Sequence, residues 1–362
     1  MRHWFGVSRK TYNATVEYLR APERKANFLD IKKWLVPSLP EYTQEVPRSV
    51  RDGAVEDAGK AVKAAKRKCL GTGEFQEVKF RSKRDPVQTL FIRNDAIKDR
   101  AGGVVQAAIF PTTLGKVRLA EPLPANPKDS RIIRENGRWF LCVPHEVALP
   151  LTARAKPYSA AGIDPGVRTF LSFVGDGVAG QIGDQDFSRI ARWCAHLDDL
   201  MSRLDCKRKD NRVSARKRRR MRKAADRMRW KIKDLVREAH FKAAKFLCDN
   251  FQVIYLPKFE SQRMASKAKR KLRKKSVRAM LTWSHHRFRQ RLLWMAKKSG
   301  VEVIDTDEAY TSKTVNWIGE INHKLGGAKV IKGSDGQRMN RDLNGALGIY
   351  LKGLVGYDLA SA

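Results

Sequence analysis

Apolar positions between Ser49 and Cys69 recur with a helical period. Val50, Ala54, Ala58, Ala61, Val62 and Ala65 share one face, with arginine and lysine opposite. Residues 1–70 therefore read as helices, with Pro37, Pro40 and Pro47 in a connecting loop. From Gly71 the texture changes to short β-like runs broken by glycine and proline. Leu90-Phe91-Ile92, Val104 to Phe110 and Lys116 to Leu119 are candidate strands. Asn136-Gly137, between Arg131–Arg134 and Trp139–Val143, predicts a tight hairpin because both residues tolerate positive φ. Short strands at this spacing predict a small β-barrel over 71–155, and Pro150 to Pro157 reads as a linker.

Beyond the linker the pattern is more regular. Strands are predicted over Ala160–Asp164, Arg168–Val174 and Val178–Ile182, then two long helices from Phe187 to about Asn250. A strand over Phe251–Leu256, one helix over Met280–Lys298, a strand over Val301–Asp305 and a helix from Arg341 to Leu351 complete the series. That order is the order of an RNase H-like α/β fold, in which the first and fourth strands lie side by side. Three carboxylates then gain a reason to converge: Asp164 ends the first strand, Glu260 follows the fourth, and Asp342 opens the last helix.

Composition fits such a site with a polyanionic partner. Among 362 residues, 74 Lys+Arg against 38 Asp+Glu leave a net charge of +36. A compact fold carrying that charge repels itself unless a polyanion neutralises it. Hydrophobic content of 42% supplies a core, so a disordered basic tail is excluded. Nucleic acid is the leading polyanion and an anionic membrane the alternative; no apolar run approaches the roughly 20 residues needed to span a bilayer, and no membrane partner is expected. The opening Met-Arg-His-Trp-Phe is unlike a signal peptide, and the expectation is an intracellular protein. Cys69, Cys142, Cys194, Cys206 and Cys248 are scattered, with no Cys-x-x-Cys pair, so no disulfide framework or zinc knuckle is read from them.

Each carboxylate taken alone has an ordinary reading. Asp164 in Asp-Pro-Gly is a turn aspartate, Glu260 a solvated glutamate beside a basic loop, and Asp342 a first-turn helix acid, with Asn340 able to cap. Together they suit hard cations, and two Mg²⁺ about 4 Å apart would serve phosphodiester hydrolysis. Two basic runs flank this core. One holds Arg208, Arg212, Arg216, Arg218, Arg219 and Arg220; the other holds Lys269, Arg270, Lys271, Arg273, Lys274 and Lys275. Their density favours phosphate contact with steep salt dependence, without sequence specificity. Trp4, Phe5, Tyr12, Trp139, Trp283, Phe288 and Trp294 could stack on bases, but most fall in core-like patterns.

At these residues the chain resembles the TnpB-type transposon nucleases and their Fanzor relatives, RNA-guided DNA endonucleases akin to type V CRISPR effectors. The resemblance rests on Gly162-Ile-Asp164-Pro-Gly-Val-Arg-Thr169, Tyr310-Thr-Ser-Lys-Thr314 and Arg341-Asp342-Leu-Asn344-Gly-Ala346, with weaker likeness at Tyr12-Asn13 and Leu114–Leu119. It implies a multidomain α/β protein in five parts. These are a helical recognition segment over 1–70, a β-barrel (WED-like) domain over 71–155, and a RuvC-like nuclease domain over 156–309 including the hairpin 187–250. A degenerate zinc-finger-like segment for target nucleic acid follows over 310–339, and the nuclease domain ends over 340–362. The barrel strand that the family places ahead of the helices is not evident, so part of the barrel is expected to be missing or rebuilt.

The family pattern places a glutamate directly after the fourth strand, where this chain has Pro257. Fanzor-type proteins carry Pro-x-Phe there with the glutamate displaced, which matches Pro257-Lys-Phe259-Glu260 and makes Glu260 the second carboxylate, with Glu302 and Glu308 as alternatives. The positions of four zinc-binding cysteines hold Val315, Ile318, Lys332 and Asp335, so no structural zinc is expected and packing must replace it.

The implied function is a transposon-associated endonuclease that uses a guide (omega) RNA to cut double-stranded DNA in a single magnesium-dependent site. The expected form is a monomer in the nucleus of a eukaryote, the setting that the displaced glutamate and the basic runs favour, and otherwise in a bacterial cytoplasm. The alternatives are an RNA-guided DNA-binding protein with an inactive site, and a general RNA-binding protein.

Overall fold

A computed structural model describes residues 1–21, 23–99, 106–124, 126–149, 155–209, 214–259, 274–307, 311, 313–322, 326 and 328–361. The chain divides into two compact units, Met1–Val147 and Ala148–Ala362.

The first unit opens with helices α1 (Arg2–Tyr18), α2 (Phe28–Trp34) and α3 (Arg48–Thr72). The small residues expected on one face of α3 let it approach α1 closely, burying Tyr12 and Val16 against Ala54 and Ala58. Asp57 of α3 ties this pair to the strands. Its carboxylate accepts hydrogen bonds from Arg81 at 3.0 Å and, through both oxygens, from Arg131 at 2.9 and 2.5 Å. Burial alone would raise the Asp57 carboxyl, but the two guanidinium partners outweigh it and hold it below the usual carboxylate range.

Six strands follow: β1 (Val87–Ile92), β2 (Ile97–Asp99), β3 (Gln106–Ile109), β4 (Lys116–Arg118), β5 (Ser130–Glu135) and β6 (Arg138–Cys142). The β5–β6 hairpin turns at Asn136 and Gly137 with φ of 42° and 81°, as the dipeptide predicts. The expected barrel is not shown by the described strands. They form two three-stranded sheets, β1-β5-β6 and β2-β3-β4, with no closed ladder among the described residues.

The second unit is built on β7 (Tyr158–Pro165), β8 (Leu171–Gly175), β9 (Val178–Ile182), β10 (Phe251–Pro257) and β11 (Glu302–Thr306), in the order β11-β10-β7-β8-β9. The first and fourth strands of the series are indeed neighbours, with β10 parallel to β7. Helices α4 (Phe187–Lys209) and α5 (Ala215–Asn250) form the hairpin, and α6 (Lys274–Trp283) and α7 (His285–Ser299) precede β11. Two small hairpins, β12 (Thr314–Val315) with β13 (Glu320–Ile321) and β14 (Val330–Lys332) with β15 (Arg338–Asn340), lead into α8 (Arg341–Ser361).

Alternation along the strands divides the sheet into two faces. Ala161, Ile163, Ile254 and Leu256 join Leu247 of α5 and Phe288 and Leu292 of α7 in the main core. Ala160 and Tyr255 point the other way and pack against Ile349 and Tyr350 of α8. The candidate carboxylate Asp164 continues this second face.

One expected element is broken. The single helix predicted over Met280–Lys298 is two helices joined at Ser284, whose backbone is left-handed at φ 54°, ψ 56°. The cause is tertiary. Trp283 and His285, on either side of the break, turn into the core and bond to the chain just past Asp164.

Candidate active site

Asp164 lies near the C-terminal end of β7, opposite Ser172 of β8. Extending the β7–β10 register sets Pro257 level with Asp164, while Val253 is level with both Ala160 and Glu302. Glu302 therefore stands four residues back along the sheet and two strands across, about 16 Å from Asp164 by backbone spacing. That separation removes it as an alternative second carboxylate. Glu260 and Glu308 lie outside the described residues. Two acids flank the level of Asp164 at this end of β11, Asp305 within the strand and Asp307 just past it. Alternation turns Asp305 to the opposite face, where it pairs with Arg289 at 2.6 Å and Lys258 at 3.3 Å, while Asp307 pairs with Lys352 of α8 at 3.4 Å.

Asp342 sits in the first turn of α8. The cap is Asn340, whose Oδ1 accepts from the backbone N–H of Asp342 at 2.8 Å and of Leu343 at 3.4 Å. Three residues on, and so on the same helix face, is Gly345. A Cβ built on Gly345 would lie 2.7 Å from Oδ2 of Asp164. The missing side chain is the space into which the Asp164 carboxylate fits, and it brings that carboxylate to the turn of α8 that carries Asp342.

The helix is held at this height by an amide pair. Asn344, fully buried, donates to the Thr314 carbonyl at 2.7 Å and accepts from the backbone N–H of Asn316 at 3.0 Å. Asn316 returns a bond to the Asn344 carbonyl at 2.7 Å. Gly348 leaves room for the Asn316 side chain as Gly345 does for Asp164.

Among the described residues no three His, Cys, Asp or Glu side chains cluster as a metal site. The described donors, two carboxylates on adjoining elements, suit a hard cation and need further oxygen ligands to complete its shell. Where the resemblance places zinc, the hairpins close on a small apolar core instead. Val315 and Ile331 are buried against Trp317 and Met339, and Trp317 Nε1 donates to Asp335 at 2.9 Å.

The two basic runs are described in part. Arg212 lies outside the described residues, as do Lys269, Arg270, Lys271 and Arg273 of the second run. Arg208 falls in the last turn of α4. Arg216, Arg219 and Arg220 are exposed on the first turns of α5, with Arg218 half-buried, and Lys274 and Lys275 open α6 exposed. At 1.5 Å per residue the α5 arginines stand about 50 Å from the end of that helix where β10 begins. Of the candidate stacking aromatics, Trp4, Phe5, Tyr12, Trp283 and Phe288 are core, while Trp139 and Trp294 are exposed.

The residues that sequence reasoning passed over are Gly345, Asn344 and Asn316, and the Trp283–His285 pair. Gly345 had a signal: a glycine inside a helix marks a packing or functional need. The amides and the aromatic pair had none, since their partners are distant in sequence.

Comparison with known proteins converges on one family. The family model of the Cas12f1-like TNB domain matches residues 285–349, which run from α7 through the four short hairpin strands into α8. A protein of Paramecium bursaria Chlorella virus 1 named as a transposase is 31% identical over 259 residues, 68% of this chain and 55% of its own length. A second transposase-named protein, from Acanthamoeba polyphaga mimivirus, is 29% identical over 63% of this chain and 46% of its own. The chain thus spans about half the length of these two relatives. The TnpB-like protein L79 of the same mimivirus is 25% identical across 98% of this chain and 70% of its own length. Among solved structures, a Cas12f1–sgRNA–target DNA complex aligns over 96% of this chain and 93% of its own at 16% identity and a TM-score of 0.37. The matched domain, and similarity to TnpB-like proteins along 98% of this chain, make the chain similar to the TnpB family.

Proposed function

We propose that the chain is an RNA-guided DNA endonuclease with a single RuvC-like, metal-dependent site in its RNase H-like second unit. The observation that carries this reading is the seating of the Asp164 carboxylate against Gly345, on the face of α8 that also bears Asp342. Glu260, in a Fanzor-like displaced position, supplies the third carboxylate. Magnesium, when bound, would supply an activated water and stabilise the leaving 3′-oxygen. Asp164, at the strand end, and Asp342, at the helix start, would hold that charge, with the β7–α8 contact supporting their spacing. The exposed arginines at the tip of α5 give guide RNA and target duplex a positive track that reaches well beyond the site. Base pairing with the guide supplies sequence specificity, and the protein reads a short flanking motif and duplex shape.

The test is to purify the full chain from cells expressing its own locus, sequence the RNA that accompanies it, and offer a matching plasmid with Mg²⁺ or EDTA. One discrete RNA species and cleavage only with Mg²⁺ are expected. A random smear of RNA would sink guided recognition, and guided binding without cleavage would leave the protein a binder with an inactive site.

Gly345→Ala probes the geometry directly. The new methyl meets the movable end of a side chain, so the fold should survive with its unfolding temperature unchanged. The displaced carboxylate should lower single-turnover cleavage by about 100-fold, the penalty for a misplacement of about 1 Å. Wild-type cleavage in this variant would show that Asp164 is not held where the reaction needs it.

A further inference from the structure

We infer that Trp283 and His285 are positioning residues for the metal site, acting as a pair of donors that fix the turn behind Asp164. The inference rests on the metal-site reading above. The chain after Asp164 reverses sharply through Pro165 and Gly166, and Gly166 N–H donates to the Phe170 carbonyl at 3.1 Å. A Cβ at Gly166 would lie 2.4 Å from the Thr169 carbonyl oxygen, so the turn is drawn tight. This reversal directs two successive carbonyls, those of Gly166 and Val167, into the protein, where an unpaired carbonyl is costly. His285 Nε2–H donates to the first at 2.9 Å and Trp283 Nε1–H donates to the second at 3.0 Å. Both donors are buried, Trp283 at 0% and His285 at 3% exposure.

The break at Ser284 has its explanation here. In a continuous helix, residues two apart face different directions. A left-handed residue between Trp283 and His285 instead lets both side chains reach the same turn. The aromatic packing is equally specific. The Phe170 ring, at the far end of the reversal, is in contact with Trp283 at 4.6 Å and stacked on His285 at 5.3 Å and His240 at 5.2 Å.

Behind the pair stands a second layer. His240 Nε2–H donates to the Trp283 carbonyl at 2.7 Å, and its Nδ1 accepts from Arg291 at 2.6 Å. Burial pushes the His285 imidazole down to about 4 and that of His240 down to about 3, so at neutral pH both are uncharged donors of the single proton these bonds require. The chain Arg291–His240–Trp283 thus ends on the backbone three residues from Asp164. Partners that orient a metal ligand from behind are typically worth about 10- to 100-fold in metal affinity or activity.

The test uses Mn²⁺ as a spectroscopic probe of the full chain. Its dissociation constant is measured by electron paramagnetic resonance, alongside guide-RNA binding and single-turnover cleavage, in wild type, Asp164→Ala, Trp283→Phe, His285→Phe and His285→Gln. His285→Phe and Trp283→Phe remove one donor each and keep an aromatic ring. Each is expected to weaken Mn²⁺ binding by about tenfold or more, with cleavage falling in step and guide binding unchanged. His285→Gln keeps a donor near Nε2 and is expected to restore affinity to within about threefold of wild type. Should His285→Phe fail to fold, Trp283→Phe alone carries the measurement. If Asp164→Ala loses the ion while both phenylalanine variants keep wild-type affinity, the positioning role is overturned. It is equally overturned if His285→Gln is as impaired as His285→Phe. If Asp164→Ala itself binds Mn²⁺ as wild type does, the metal-site reading fails and this inference fails with it.

Discussion

Asp164→Ala is expected to reduce guided cleavage by about a thousandfold or more while leaving the affinity for guide RNA and target DNA unchanged. The size of the effect follows from what the residue is attached to. Asp164 is carried by the middle strand of the five-stranded sheet, with β8 on one side and β10 on the other. It is backed by Gly345, and the turn behind it is pinned by Trp283 and His285. A ligand this constrained contributes both charge and position, and water replacing its carboxylate restores neither. Folding should be spared, because the ladder hydrogen bonds of β7 are made by backbone and the methyl group of alanine fits the same space. Nucleic-acid affinity should be spared because it comes from the net charge of +36. Asp164→Asn, which keeps the shape and loses the charge, should be almost as inactive. The measurement is single-turnover cleavage of a supercoiled plasmid beside a gel-shift titration. Cleavage within tenfold of wild type would displace Asp164 from the metal site, and a parallel loss of binding would make its role structural.

What the sequence reveals about this site depends on the range of the interaction that makes each part. The strand order was legible because buried parallel strands are short apolar runs, Ala160–Ile163 and Val253–Leu256, and such runs identify themselves without knowledge of their neighbours. The Asn136-Gly137 hairpin was legible for the same reason, being local chemistry. The break at Ser284 was not. Nothing between Leu281 and His286 is glycine or proline, and the partners of Trp283 and His285 lie 116 and 119 residues earlier in the chain. The barrel is a different case, with no closed sheet among the described residues: counting short strands reports that sheets exist, while closure depends on edges that only register defines. Register also removed Glu302, whose residue type and strand were suitable and whose height on the sheet is wrong. Gly345 stood between the two, visible as an out-of-place helical glycine but silent about the carboxylate it admits.

The largest expected effect on folding belongs to another glycine. Gly162→Ala should destabilise the second unit by about 3 kcal/mol, at the upper end of the cost of overpacking. A Cβ at Gly162 would lie 2.3 Å from the backbone N of Tyr350, 2.5 Å from the Ala346 carbonyl oxygen and 2.6 Å from the Tyr350 Cα. Unlike the side-chain oxygen that faces Gly345, these are backbone atoms of a helix and cannot turn away. The helix is also tethered on either side of the contact, by the Asn344–Asn316 pair and by the Tyr350 hydroxyl donating to Asp176. Relief therefore requires α8 to lift from the sheet as a whole, which opens the packing of Ile349 and Tyr350 on Ala160 and Tyr255. It also carries Asp342 away from Asp164. Thermal unfolding should fall by about 6–12 °C for a unit of this size. Cleavage should be lost even below the new midpoint, because the two carboxylates no longer share a site. A variant with wild-type thermal stability would mean that α8 does not rest on β7 through backbone contact. Stability lost with cleavage retained would mean that the β7–α8 spacing does not set the distance between the carboxylates.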